Sequence, residues 1–274
     1  MIYICIPVYN EERTIGVVLW KIRQVMSEFG RDYEVLVVDD GSTDGTEDVM
    51  KPYARIMPVH VRNHERREGY GPSVEALVRE ANARSAYPKR DVVVTLQGDF
   101  TDEPDDVAQL VKRVEGGADL VTARIRPVAA GMPRAMRWSR GIWHLLLRRA
   151  RGGAVGGDIL SGFRAYRVVT LRKAIEEAGD APLITTDGWA ANAELLQRVL
   201  PHSRRTEAVD VQVRYARLQR ESRFRPLRTS LELAQLLGRR GSGKTPPPPA
   251  EAAGGNGVDQ HPAGPRRDAA NTTS

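Results

Sequence analysis

The sequence predicts an α/β protein built on a mostly parallel sheet with helices on both faces. Three observations predict it. Short, almost wholly apolar β-rich runs recur through the first half, as buried parallel strands require. Stretches of helical pattern long enough for crossovers separate them. Three of the runs end in acidic or polar turns, the edge where such sheets collect ligands.

The elements follow in order. Strands are expected at Ile2–Val8, Tyr33–Val38, Ile56–Val61, Asp91–Leu96 and Asp119–Thr122. Pro58 removes a ladder donor, so the third run suits a sheet edge. Helices are expected at Arg13–Phe29, Thr46–Ala54, Ser73–Ala86 and Pro104–Glu115. Pro104 fits a first helical turn, and Asp105 and Asp106 complement its dipole. The second half is less regular. A basic amphipathic stretch covers about Pro133–Arg151, and a Gly-rich link leads to Asp158-Ile-Leu-Ser-Gly-Phe-Arg164. Helical patterns follow at Val168–Ala178 and Gly188–Leu200, then a strand at Thr206–Tyr215 and a last helix at Leu227–Leu237. The division is one domain, 1–237, in two halves (1–124 and 125–237), before a Pro/Gly-rich tail, 238–274. That tail is expected to be disordered, since it offers too little apolar surface to bury.

The chain has 274 residues, 41% hydrophobic and 28% charged, with net charge +6, and the distribution says more than the sum. Leu120–Gly157 holds no Asp or Glu but many arginines, among them Arg124, Arg137 and Arg140. A second arginine run, Arg214–Arg228, is broken only by Glu221, while acid gathers at Asp39, Asp40, Asp99, Asp102 and Glu103. A protein acidic where a cation binds and basic where phosphate binds suits an anionic substrate. Cys5 is the single cysteine, which excludes an internal disulfide and reads as core. No run approaches the roughly 18 apolar residues that span a bilayer. A cytoplasmic protein is expected, at most peripheral at the inner face of a membrane. Trp138, Trp143 and Leu145–Leu147 lie among the arginines of the basic stretch. Either that stretch lies in a lipid interface, or it packs on the sheet with a solvated face.

The chemistry sits at strand ends. Asp39-Asp40-Gly41-Ser42 places two adjacent carboxylates where a base or ribose can meet them, and Pro7-Val8-Tyr9-Asn10-Glu11-Glu12 reaches the same rim. The bland alternative is a polar turn with Ser42 or Asp44 capping the next helix. The third motif, Gln97-Gly98-Asp99-Phe100-Thr101-Asp102, suits a hard divalent cation shared with a diphosphate. Asp99 is the primary ligand there, with Asp102 or Gln97 assisting.

These motifs, in this order, resemble family 2 glycosyltransferases of the GT-A fold, and within them the dolichol- or polyprenyl-phosphate mannosyltransferases. Ser161-Gly162-Phe163-Arg164 is similar to that subgroup's Ser-Gly-Phe-Arg segment near the catalytic centre. Arg217-Leu-Gln-Arg-Glu-Ser222-Arg223 resembles its Arg-x-x-Gly-x-Ser-Lys element. The resemblance spans roughly residues 2–225 and implies one catalytic domain, with 1–124 as its nucleotide-sugar half and 125–237 as its acceptor-side half. It implies an inverting transfer of mannose or glucose from a nucleotide diphosphate sugar to a polyprenyl phosphate at a membrane surface, with Mg²⁺ or Mn²⁺. Pro7, Tyr9, Glu11 and Asp39 would hold the nucleotide, joined by Asp40, Gln97 and Gly98. Arg124, Arg137, Arg140, Ser161, Arg164, Arg217 and Arg223 would approach phosphate or acceptor. The chain departs from the pattern at Gln97, where Asp-x-Asp is usual, and at Arg220 and Arg223, which replace glycine and lysine. A phosphate acceptor ionises near neutral pH by itself, its second pKa being about 6, so no base is required. A hydroxyl acceptor would need one, and Asp187 or Asp158 would serve. Glu194 is read as structural.

Other classes fare worse. Gly238–Thr245 fits a phosphate-loop pattern, but a helix-like run precedes it and Pro246–Pro249 follows, so the strand–loop–helix context is missing. The Asn271-Thr-Thr sequon is not expected to be used. The five histidines form no ligand set. A nucleotidyltransferase would show a Gly-rich basic loop after the first strand. A nucleic-acid binder would carry a recognised motif and more than 6% aromatics, so no nucleic-acid partner is expected.

Overall fold

The computed structural model describes residues 1–125, 141, 156–211, 233 and 234. A seven-stranded sheet runs in the order β3-β2-β1-β4-β6-β5-β7. Its strands are β1 (Ile2–Val8), β2 (Tyr33–Asp39), β3 (Val59–Asn63), β4 (Val92–Thr95), β5 (Leu120–Ile125), β6 (Arg164–Arg167) and β7 (Thr206–Val211). The helices are α1 (Ile15–Phe29), α2 (Thr46–Met50), α3 (Tyr70–Arg84), α4 (Val107–Glu115), α5 (Val168–Ala178) and α6 (Gly188–Val199).

Strand periodicity divides one sheet between two cores. Ile2, Ile4 and Ile6 point to the face packed by α1 and α4, with Leu19, Ile22, Leu110 and Val111. Tyr3 and Cys5 point to the other, with Leu77 of α3, Leu171 of α5 and Leu195 of α6. Both faces of β1 are therefore dry, which is why its sequence runs apolar instead of alternating. Cys5 is fully buried, and burial pushes its thiol pKa up, as the core reading requires.

The order and pairing carry one feature the sequence reading lacked. β6 lies between β4 and β5 and is antiparallel to both. It is the Arg164–Arg167 end of the Ser-Gly-Phe-Arg motif, read in the sequence as site and not as strand. Four residues with two arginines give no period-2 signal, and only their neighbours make them sheet. Other differences have local causes. β3 begins at Val59, not Ile56, because Tyr53–Arg55 forms a 3-10 turn whose Tyr53 carbonyl accepts the Ile56 and Met57 amides. Pro58 precedes the strand, and β3 is a sheet edge as expected. α2 stops at Met50, just ahead of Pro52. α3 starts at Tyr70, so Pro72 falls inside its first turn.

β7 ends at Val211 among the described residues. The basic stretch 133–151, apart from residue 141, and the tail 238–274 lie outside them, as do Arg137, Arg140, Arg217 and Arg223. No helix of the described residues is long and apolar enough to cross a membrane.

Candidate active site

Parallel pairing sets the site. Val8 is registered with Asp39, and Cys5 with Thr95, so β2, β1 and β4 end side by side on one rim. Neighbouring strands lie about 4.8 Å apart, which puts the Asp39 and Asp99 turns within two strand spacings of each other.

Past β1 and β2 the two loops are sewn together. The Asn10 backbone N–H donates to Ser42 Oγ at 2.8 Å, and the Thr43 N–H donates back to Asn10 Oδ1 at 2.8 Å. Asn10 holds φ 52, a left-handed conformation an L-residue takes at a cost. Ser42 donates its hydroxyl to Asp39 Oδ1, which also accepts the Ser42 N–H at 3.0 Å. Asp39 is thus oriented, and it is 4% exposed. The Glu11 N–H donates to Thr46 Oγ1 at 2.8 Å, and its carboxylate accepts the Thr14 hydroxyl at 2.9 Å. Pro7 pairs with Val38 beside them.

Neither expected cap of α2 forms in simple fashion: its N-cap position is Gly45, and the Thr46 N–H donates to Asp44 Oδ1 at 3.1 Å. Burial raises the Asp44 pKa, but hydrogen bonds from the Thr46 hydroxyl, the Thr46 N–H and the Glu12 N–H outweigh it and leave the carboxyl below its usual range.

Asp40 is occupied differently from its neighbour. Its Oδ1 accepts the Glu68 N–H at 2.7 Å, its Oδ2 accepts the Gly69 N–H at 2.9 Å, and His64 Nδ1 lies 3.1 Å away. The second carboxylate of the pair holds the loop that follows β3.

At β4 the chain turns sharply. A Cβ on Gly98 would stand 3.2 Å from Val8 Cγ2, so glycine lets this turn run against the end of β1. Phe100 has φ 61. Asp99 Oδ1 accepts the Thr101 N–H at 3.0 Å and its hydroxyl at 2.6 Å, while Asp102 Oδ2 accepts the Gln97 N–H at 3.1 Å. Both carboxylates are buried. Among the described residues no group of three or more His, Cys, Asp or Glu is disposed to hold a metal by itself. The oxygen donors here fit instead a Mg²⁺ or Mn²⁺ that takes one or two carboxylates and completes its shell with substrate phosphate.

Across the sheet, Arg124 at the end of β5 is half-exposed, with Nε donating to Gly156 O at 3.0 Å and Nη1 3.5 Å from Asp210. Asp158 Oδ1 accepts the Leu160 and Ser161 amides at 2.8 and 3.1 Å, and Ser161 Oγ accepts the Phe163 N–H at 3.1 Å. Arg164, expected to reach phosphate, has no exposed surface. Its Nη1 donates to Asn192 O and its Nη2 to Ile159 O, both at 2.6 Å. In this arrangement it ties the 158–163 loop to α6 through its two Nη atoms, while its buried Nε has no hydrogen-bond partner among the described residues. Asp187 caps α6, its Oδ1 accepting the Gly188 N–H at 2.9 Å and the Gly71 N–H at 3.1 Å.

Residues 3–179 match the family described as Glycosyl transferase family 2. The chain belongs to glycosyl transferase family 2. Among curated proteins it is similar to undecaprenyl-phosphate 4-deoxy-4-formamido-L-arabinose transferases of Salmonella paratyphi B and Salmonella newport, at 24% identity over 183 residues, 66% of this chain and 54% of theirs. The chain spans about half the length of those relatives. Among solved structures it is similar to glucosyl-3-phosphoglycerate synthase from Mycobacterium tuberculosis in complex with Mn²⁺, uridine-diphosphate and phosphoglyceric acid. That likeness has TM-score 0.60 and 23% identity, covering 87% of this chain and 78% of that one. The same enzyme with Mn²⁺ and UDP-glucose gives TM-score 0.59. The sheet is thus the GT-A type that the motifs implied.

Arg67, which no motif singled out, stands beside Tyr9. Its guanidinium carbon stands 4.2 Å from the centroid of the Tyr9 ring, a cation–π arrangement. The only sequence signal was the His64-Glu65-Arg66-Arg67 cluster, which nothing local links to Tyr9. Glu194, read as structural, is 2% exposed and accepts from the amides and hydroxyls of both Thr185 and Thr186.

Proposed function

We propose that the chain transfers a hexose from a nucleoside diphosphate sugar to a polyprenyl phosphate, with inversion. The observation that carries this reading is the shared rim of β2, β1 and β4, where Asp39 and Asp99 are both buried and held by their own turns. Pro7, Tyr9, Glu11 and Asp39 hold the nucleoside, with Gln97 and Gly98 lining the diphosphate end, and Asp40 fixes the neighbouring loop. Asp99, with Asp102 or Gln97, would hold Mg²⁺ or Mn²⁺. Such a cation neutralises charge that develops on the departing diphosphate. The naming of the relatives as undecaprenyl-phosphate transferases supports the lipid phosphate, and the structural neighbours' complexes with Mn²⁺ and UDP-glucose support the donor class.

Arg124 approaches the phosphates from β5, and Arg137, Arg140, Arg217 and Arg223 belong to the basic segments that would receive the acceptor at a membrane surface. A phosphate monoester is already nucleophilic at neutral pH, so the acceptor side needs cations rather than a base. Arg164 and Ser161 act by shaping the 158–163 loop beneath the acceptor.

The test is a transfer screen with GDP-mannose and UDP-glucose, Mg²⁺ or Mn²⁺, and undecaprenyl phosphate in mixed micelles. Labelled lipid-linked sugar is the expected product. Transfer to a sugar hydroxyl with none to the lipid phosphate would move the reading to base catalysis by Asp187 or Asp158. No turnover of either donor sinks it.

A further inference from the structure

The segment before α6 is held in an unusual way. The Leu183 and Ile184 amides each donate to the Glu75 carboxylate of α3 at 2.9 Å. The next two amides, of Thr185 and Thr186, donate to the buried Glu194 carboxylate of α6 at 2.8 and 2.9 Å, and both threonine hydroxyls join them. Four consecutive amides thus end on two carboxylates from two helices. Amide-to-carboxylate hydrogen bonds are charge-assisted and short, and here they hold every amide from 183 to 186.

What the strap fixes is Asp187, and Asp187 faces a turn. Its Oδ1 accepts the Gly71 N–H. A Cβ on Gly71 would stand 2.1 Å from the Thr186 carbonyl oxygen, so the start of α3 lies directly against the strap. Gly69, at φ +115, is flanked by two carboxylates: its N–H donates to Asp40, and a Cβ on it would stand 3.3 Å from both Asp187 oxygens. Two residues before it in the chain, Arg67 stacks on Tyr9.

We propose that Asp187 is a positioning residue for the 64–71 turn, set by the Glu75–Glu194 clamp, and that it acts by holding Arg67 over the Tyr9 face of the nucleotide site. The inference rests on the reading of the Tyr9–Asp39 rim as that site. It differs from a base role in one chemical respect. The Gly71 and Gly188 amides share Oδ1, an oxygen that asparagine also presents, whereas a base needs the ionised carboxylate.

The experiment uses the full chain, with UDP and GDP as probes, each with Mn²⁺. Amide exchange over residues 66–72 and nucleotide affinity by calorimetry are measured for Asp187→Ala and Asp187→Asn. Asp187→Ala is expected to speed exchange at Gly69–Gly71 and to weaken the better-bound nucleotide by about tenfold, the effect of one charge-assisted hydrogen bond. Asp187→Asn is expected to rescue both. Wild-type exchange and affinity in Asp187→Ala overturn the proposal. So does an Asp187→Asn protein that binds nucleotide normally yet loses transfer from UDP-glucose or GDP-mannose, since that marks a base. If the wild-type chain binds neither nucleotide, the site reading fails, and exchange alone still decides whether Asp187 holds the turn. Should Asp187→Ala fail to fold, Glu194→Gln takes its place, because its amide group opposes the strap's donors. Faster exchange at 69–71 supports the relay, and unchanged exchange overturns it.

Discussion

The Asn10 backbone N–H and the Ser42 hydroxyl meet at 2.8 Å, joining the end of β1 to the turn after β2. The Ser42 hydroxyl in turn donates a hydrogen bond to Asp39 Oδ1, so one hydroxyl links two strand-end loops and orients the carboxylate proposed to meet the nucleoside. Ser42→Ala removes both bonds and spares the fold. The expected result is a loss of nucleotide affinity of about tenfold, the worth of roughly 1.4 kcal/mol, read by titrating UDP or GDP with Mn²⁺.

Asp99 tests the cation. Asp99→Asn keeps an Oδ1 for the Thr101 N–H and hydroxyl but gives up the charge. Turnover should fall by about a hundredfold or more, a loss of several kcal/mol of transition-state stabilisation, with melting temperature nearly unchanged. Chelation of the wild-type protein should have the same effect, reversed by adding Mn²⁺. Full activity in Asp99→Asn would move the cation elsewhere.

Beneath the 158–163 loop, Tyr70 donates to Asn192 Oδ1 at 2.9 Å, and Asn192 Nδ2 reaches Leu160 O at 3.2 Å. Burial, opposed by that hydrogen bond, holds the Tyr70 pKa well above the phenol value, so the hydroxyl stays a donor. Tyr70→Phe leaves Asn192 one donor short, at a cost of about 1–2 kcal/mol. Urea denaturation measures it, and an unchanged midpoint would show that the hydroxyl carries no stability.

Acid should loosen the rim. The Asp44 pKa is lowered in the folded chain, so its contribution is fully present above the unfolded carboxyl value and is lost as pH falls through the folded value. Asp44→Asn is expected to lower the melting temperature at neutral pH and to differ little from wild type in strong acid. A difference that persists undiminished in acid would exclude this carboxylate as the cause.

How much of this was legible in the sequence can be read residue by residue. β1 and α5 follow from local rules, because apolar period acts within a few residues. The turns at Asp39 and Asp99 are local as well: Asp39 is held by Ser42 and Asp99 by Thr101. Arg67 was not legible, since its partner Tyr9 is far away in the chain and no local pattern joins them.

By itself the sequence determined the alternation of strand and helix, the covering of both sheet faces by helices, and the acidic turns that reach one rim. Only the tertiary structure decided that β6 runs antiparallel between β4 and β5, and which charges are spent internally. Asp40 and Asp39 are adjacent and chemically identical, yet one orients its own turn and the other holds Glu68 and Gly69. Arg164 resembles a phosphate ligand in the sequence, yet in the fold it is buried with its Nη atoms on the Asn192 and Ile159 carbonyls. The physical reason is range. Backbone preference is set by immediate neighbours, while a buried charge is defined by whichever distant groups fold against it.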